Sequence, residues 1–349
     1  VPNPPVPDLL RLGLQDRLPE FATAPRRAGA AATVCGRVWV GAGAILGPSA
    51  VIRGDGQEAL IGDDFYLGER STVHVAQEES PARIGSGVTV GAECVLRACE
   101  VGDRCVIEDR VVVLEGARIG AGSVLANDAL VPSGVQLAPG FFYRGNPARA
   151  VRALESGELL LLRSRVRNTP VTLAAAGPVR TGRAASGHAG FVALTAQVEG
   201  RLQMESGASI WFGARIDGGH HGVHIGEEST VQDNCTAYAM SSPLRIGAGV
   251  TIGHNVRLQD CRIGDRSLIG AAGFIAAGTL VQDDVLLAPG SATLPNQVLQ
   301  AGWLWGGRPA RALAPLSPED RARIQATARA HRRCADGLRQ AIADLTGCD

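Results

Sequence analysis

From Val34 onward an aliphatic residue returns at every sixth position: Val34, Val40, Leu46 and Ile52, then Ile61, Leu67 and Val73, then Ile84, Val90 and Leu96. The series slips by one residue, resumes at Val101 and Ile107, and continues through Val113, Ile119, Leu125, Val131, Leu137 and Tyr143. Glycine often follows the aliphatic, as at Gly41, Gly47, Gly62, Gly68, Gly85 and Gly91. A small residue such as Ala44, Ala50, Ser71, Cys94 or Cys105 falls four places after the aliphatic. A period of six is neither the 3.6 of a helix nor the 2 of a long strand. It predicts short strands joined by tight corners, three to a coil, with coils stacked at about 4.8 Å. The aliphatic and the small residue point into a narrow interior, and glycine is expected at corners that need a positive φ. Cys94, Cys105 and Cys235 are then packing residues in small inward slots.

The second half repeats the first. Ile52, Ile61 and Leu67 map onto Ile216, Ile225 and Val231, and Ile84, Ile107, Val113, Leu125 and Leu137 onto Ile246, Ile269, Ile275, Leu287 and Leu299. The exits match as well, YRGNPARA at 143–150 over WGGRPARA at 305–312. The fold expected is an all-β solenoid of two tandem left-handed parallel β-helix domains, each followed by a helical segment. The expected divisions are an N-terminal extension at 1–30, a first β-helix with its exit helix at 31–165 and a Gly, Ser and Pro-containing linker at 166–188. A second β-helix follows at 189–315 and a C-terminal helix at 316–349. Ser317 is placed to cap that last helix, with Pro318 at its first position and Asp320 favourable to its dipole. Ile324, Leu338, Ile342 and Leu345 form its apolar stripe.

Composition narrows the chemistry. The 349 residues carry 34 basic and 34 acidic side chains, so a nucleic-acid or anionic-membrane footprint is not expected. All the basic residues are arginine, which excludes Schiff-base chemistry and a P-loop lysine. Eight cysteines without a CxxC pair read as free, mostly buried thiols. With no signal-peptide pattern and no membrane-spanning run, a cytoplasmic location is expected.

On AVIRGDG, STVHV, VTVGAECVLRAC and GNPARA in the first repeat, and SIWFGARIDGG, VQDNCTAY, VTIGHNVRLQDC and GRPARA in the second, the chain resembles the gamma-class carbonic anhydrase-like branch of the hexapeptide-repeat proteins. The resemblance implies a homotrimer, here of two-domain chains, with sites between subunits. Three histidines would hold zinc there, and nearby Arg, Asp, Gln and acidic groups would orient water and bicarbonate. Three neutral imidazoles leave one zinc position open for a water whose pKa falls to about 7. Carried over one by one, the ligand positions read His74, Ala92 and Arg97 in the first repeat, and Tyr238, His254 and Gln259 in the second. Arg53 and Asp55 keep an RGD step that becomes Asp217 and Gly219. Gln232 and Asp233 keep a QD step that is Gly68 and Glu69 in the first repeat. Arginine cannot ligate zinc and would repel it. Whether like or unlike repeats pair in the oligomer stays open.

One further cluster, His220, His221 and His224, follows the altered RGD step, where Gly218, Gly219 and Gly222 allow the backbone to turn. His74, His254, His220 and His221 are thus the candidate metal ligands. Arg53, Asp55, Glu69, Gln232, Asp233 and Tyr238 are the candidate catalytic groups. Three functions are consistent with these residues. The first is a binding and assembly scaffold with an altered zinc site, not competent as a hydratase. The second is a zinc hydratase or hydrolase, acting on a small anionic or carbonyl substrate, rebuilt around His254, His220 and His221. The third is a hexapeptide acyl-CoA transferase with a histidine base.

Overall fold

The computed structural model describes residues 9–14, 17–76, 79–168 and 190–346, side chains from 343 onward excepted, and forms two compact units, one for each repeat. The expected linker lies outside the described residues, apart from 166–168.

In the first unit, short strands stack in parallel on three faces. One face carries Thr72–Val75, Val95–Arg97, Val112–Val113 and Leu130–Val131, paired above with the start of the long strand Val51–Ile61. The second carries the end of that long strand, then Ala82–Ile84, Glu100–Val101, Arg118–Ile119 and Gln136–Leu137. The third runs from Ile45–Leu46 through Tyr66–Leu67, Thr89–Val90, Val106–Ile107 and Val124–Leu125 to Phe141–Arg144. Val106 pairs with Val124 and Ile107 with Leu125, so three six-residue rungs close one turn. The second unit has three parallel sheets built the same way. Each solenoid ends in an antiparallel hairpin, Phe141–Arg144 with Arg149–Ala153 and Trp303–Gly306 with Arg311–Pro315.

The sixth-residue series forms the core. Val34, Ile52, Val73, Leu96, Ile107 and Leu125 lie in one buried cluster, and Ile216, Val231, Ile252, Ile269 and Leu287 in the other. The small slots are buried too. Cys94 Sγ lies 2.9 Å from the carbonyl of Glu108, Cys105 Sγ 3.2 Å from that of Gly120, and Cys235 Sγ 2.9 Å from that of Gly253. Burial pushes the thiols of Cys94 and Cys105 up to about 12 and about 11, so they are unreactive packing groups at neutral pH.

The corner glycines behave differently from expectation. The glycine after the aliphatic does not take the positive φ. That conformation falls two residues later, on Ser49, Asp64, Arg70, Glu93 and Arg104, and on Gly43 and Gly87. Gly41, Gly62 and Gly85 are required because a Cβ there would meet the backbone nitrogen of Asp63, Ser86 or Asp103 in the next coil at 2.7, 2.6 and 2.7 Å. At these corners the next coil comes too close for a side chain.

Helix α1, Glu158–Asn168, sets Leu159, Leu162 and Val166 against Val106, Val124 and Phe142 on the third face. Helix α2, Pro318–Thr346, begins with reciprocal capping: Asp320 N donates to Ser317 Oγ at 3.1 Å, and Ser317 N to Asp320 Oδ2 at 3.1 Å. Ile324 and Leu338 are buried, Ile342 is half-buried, and the side chain of Leu345 lies outside the described residues. No described helix is long and apolar enough to cross a membrane.

Candidate functional site

In the first unit, parallel pairing sets Arg53, His74 and Arg97 on successive rungs of one ladder. Their predecessors Ile52, Val73 and Leu96 point inward, so these three side chains point out at the corner where the first face ends. Asp55 Oδ2 accepts a hydrogen bond from the Arg53 guanidinium at 2.7 Å and lies 2.8 Å from His74 Nε2. The same Arg53 nitrogen is 3.0 Å from Nε2. Both protonation choices occupy that imidazole nitrogen: with a proton it donates to Asp55, and without one its lone pair faces the guanidinium. The group is deeply buried, at 0% exposure for Arg53, 1% for His74 and 6% for Asp55.

Arg97, at the third ligand position, donates to Glu79 Oε1 at 2.5 Å and lies 3.7 Å from Glu115. Burial alone would raise the Glu79 carboxyl. Arg97, His74 and the backbone N–H of Ala76 reverse this and hold it below its ordinary 4.5. Burial works against the Arg97 charge as well, and the carboxylates of Glu79 and Glu115 outweigh it. Glu79 and Glu115 are participants that the sequence reading missed. The acidic pair four and five residues after His74 in VAQEES was the available signal for Glu79.

The other first-unit candidate, Glu69, sits half-buried beside Gly68 at the corner where the third face passes into the first. It lies at the far end of strand Thr72–Val75 from the outward His74. Ala92, at the second ligand position, shares that corner, and its backbone N–H donates to Asp109 at 2.8 Å.

In the second unit the preserved and altered corners exchange. Asp217, Tyr238 and Gln259 occupy the ladder equivalent to Arg53, His74 and Arg97. Asp217 and Tyr238 are half-buried and Gln259 is exposed, and Asp217 Oδ1 accepts the N–H of Gly219 at 2.9 Å. At the other corner Gln232, Asp233 and His254 are 1%, 0% and 4% exposed. His254 Nδ1 lies 3.2 Å from Asp233 Oδ2, and Asp233 Oδ1 accepts the N–H of Phe212 at 3.1 Å. The Gln232 amide meets no hydrogen-bond partner among the described residues at either Nε2 or Oε1. A buried amide left so is costly, by about 1–3 kcal/mol.

His220 and His221 are exposed on the turn after strand Arg215–Asp217, held by Gly222 N donating to Gly218 O at 2.6 Å. His224 points outward on the next strand with Nε2 2.9 Å from Glu205. His254 stands at the corner that precedes strand Arg257–Gln259, so the structure places it and the HHGVH turn at opposite ends of one face. It does not gather the histidines into one site.

The residues do not fit a zinc centre in either unit considered by itself. Zinc needs imidazole lone pairs, and that of His74 Nε2 is protonated toward Asp55 or covered by Arg53. Tyr238 and Gln259 replace the ligands that would accompany a histidine on the equivalent ladder. Among the described residues no three His, Cys, Asp or Glu side chains gather closely enough to hold a metal ion.

No family model matches the sequence. Gamma carbonic anhydrase 1, mitochondrial, of Arabidopsis thaliana is 34% identical over 145 residues, 40% of this chain and 53% of that protein. Protein YrdA of Escherichia coli is 33% identical over 139 residues, 38% of this chain and 76% of that protein. The chain belongs to the gamma carbonic anhydrase-like hexapeptide-repeat family. This gamma carbonic anhydrase-like chain spans about half the length of the Arabidopsis relatives it matches. Among solved structures, a hexapeptide transferase family protein from Anaplasma phagocytophilum is 28% identical over 43% of this chain and 89% of its own, with a TM-score of 0.41.

Proposed function

We propose that this gamma carbonic anhydrase-like protein is a tandem β-helix scaffold for binding and assembly, homotrimeric, whose ancestral zinc positions now hold polar networks and do not hydrate carbon dioxide. One observation carries the reading. His74, the ligand-type residue of the first repeat, is engaged through Nε2 by Asp55 at 2.8 Å and stands 3.0 Å from the Arg53 guanidinium. The Arg53 cation thus stands in contact with that imidazole nitrogen. Arg97, paired with Glu79, adds a second positive charge on the next rung. The occupied Nε2 opposes a divalent metal there, and the guanidinium of Arg97 cannot stand in as a ligand.

A second reading keeps catalysis at the other corner, on Gln232, Asp233 and His254. It is favoured by the Gln232 amide, buried at 1% exposure with neither end bonded among the described residues, an arrangement suited to a small carbonyl or anionic ligand. Stopped-flow hydration of carbon dioxide separates the two. The scaffold reading expects no rate above buffer for the wild type and none for His254→Ala. Turnover that disappears in His254→Ala while the fold persists by circular dichroism would establish the metalloenzyme instead.

A further inference from the structure

On the outer surface of the second face, the two repeats carry different charge sequences on equivalent rungs. In the first repeat Arg83, Glu100 and Arg118 are in register, and Arg118 lies 3.4 Å from Glu100. In the second repeat the rungs read His224, Arg245 and Arg262, then Leu280. Arginine thus stands where alternation would put an acid. Two guanidinium groups on directly paired rungs repel one another, and like charges so placed are destabilising unless something negative joins them.

Other surface arginines meet a carboxylate one coil away. Arg110 donates to Asp128 at 2.8 Å, and Arg266 donates to Asp284 at 3.0 Å. Arg245 and Arg262 have no such partner among the described residues. Both are exposed and border an open groove of about 750 Å³. The carboxylates that also line the groove are engaged elsewhere. Asp265 and Asp283 lie 3.9 and 3.6 Å from the Arg266 guanidinium, and Glu205 faces His224 at 2.9 Å.

The geometry points to an anion site at Arg245 and Arg262 that takes a phosphate group, free or carried by a small organic molecule. Rungs about 4.8 Å apart bring two planar, permanently charged forks within reach of one tetrahedral oxyanion, each fork able to donate two hydrogen bonds. The Leu280 and Ala301 side of the groove leaves an apolar wall beside it for the organic portion. The site lies on a different face from the His254 corner, so the inference stands or falls independently of the reading given above.

Isothermal titration of the full chain at constant ionic strength tests it, with inorganic phosphate in one arm and glycerol phosphate in the other. Binding in both arms supports recognition of the phosphate alone. Binding only of the ester supports a site that also uses the organic portion. Arg262→Glu restores the alternation of the first repeat and should weaken binding by at least about tenfold, without lowering the melting temperature. Arg245→Gln, which keeps size and polarity, should weaken binding too and serves as the second variant. Absence of heat in both arms, or unchanged affinity in both variants, overturns the proposal.

Discussion

In the first repeat, Arg53, Asp55 and His74 form a buried ionic cluster at the end of the first face. In the second, the matching rungs carry Asp217, Gly219 and Tyr238, half-buried and joined by no comparable network among the described residues. The opposite corner reverses this, with Gln232, Asp233 and His254 buried in the second repeat over the half-buried Glu69 and Ala92 in the first. Yet the glycine between Arg53 and Asp55 is kept. A Cβ on Gly54 would meet the carbonyl oxygen of Arg37 at 2.2 Å, and one on its counterpart Gly218 that of Arg201 at 1.9 Å. The difference teaches which part of a functional motif the fold itself demands. The glycine is fixed by the approach of the neighbouring coil, whereas its flanking residues lie outside the aliphatic interior and differ between the repeats.

Arg53→Met should give the largest effect. It leaves the buried Asp55 carboxylate short of its cationic partner and should cost about 3–5 kcal/mol in urea unfolding, whereas Asp217→Asn on the matching rung should cost under about 1 kcal/mol. Equal losses would erase the contrast between the corners. The cores should not differ in this way. Ile107→Ala and Ile269→Ala, both at 0% exposure, should each destabilise their own unit by about 2–5 kcal/mol. A several-fold disparity would show that the duplicated interiors are not equivalent.

A pH series sharpens the comparison further. Because the folded Glu79 carboxyl lies below its ordinary 4.5, its contribution is present above that value and is lost as pH falls through the lowered value. Stability of the first unit should therefore decline on acidification below about pH 4.5, and Glu79→Gln should flatten that decline. An unchanged slope would remove Glu79 from the network. The smallest effect is expected at α2, where Ser317→Ala removes the cap on the N–H of Asp320 and should cost about 1 kcal/mol, read as a lower melting temperature.

The solenoid and its duplication were legible because an inward slot every sixth residue constrains size and polarity directly, and Val34 through Leu125 obey it without exception in the structure. The reason for the corner glycines was less legible. Positive φ is a local property that glycine advertises, while the observed cause, a backbone nitrogen 2.7 Å from the would-be Cβ of Gly41, belongs to a residue more than twenty positions away. The candidate residues could be named from the sequence, but not their partners. Glu79 reaches Arg97 across a coil, and nothing in local spacing tells that a ligand-type histidine faces an arginine. Likewise the adjacency of His220 and His221 suggested a shared site with His254, and the three-cornered coil separates them along one face.

The central claim is that the zinc positions have become polar networks. Elemental analysis of chain purified without a histidine tag or added chelator tests it most directly. Zinc far below one equivalent per chain is expected, unchanged in His74→Ala and in His254→Ala. About one tightly held zinc per chain, lost on substituting either histidine, would contradict it.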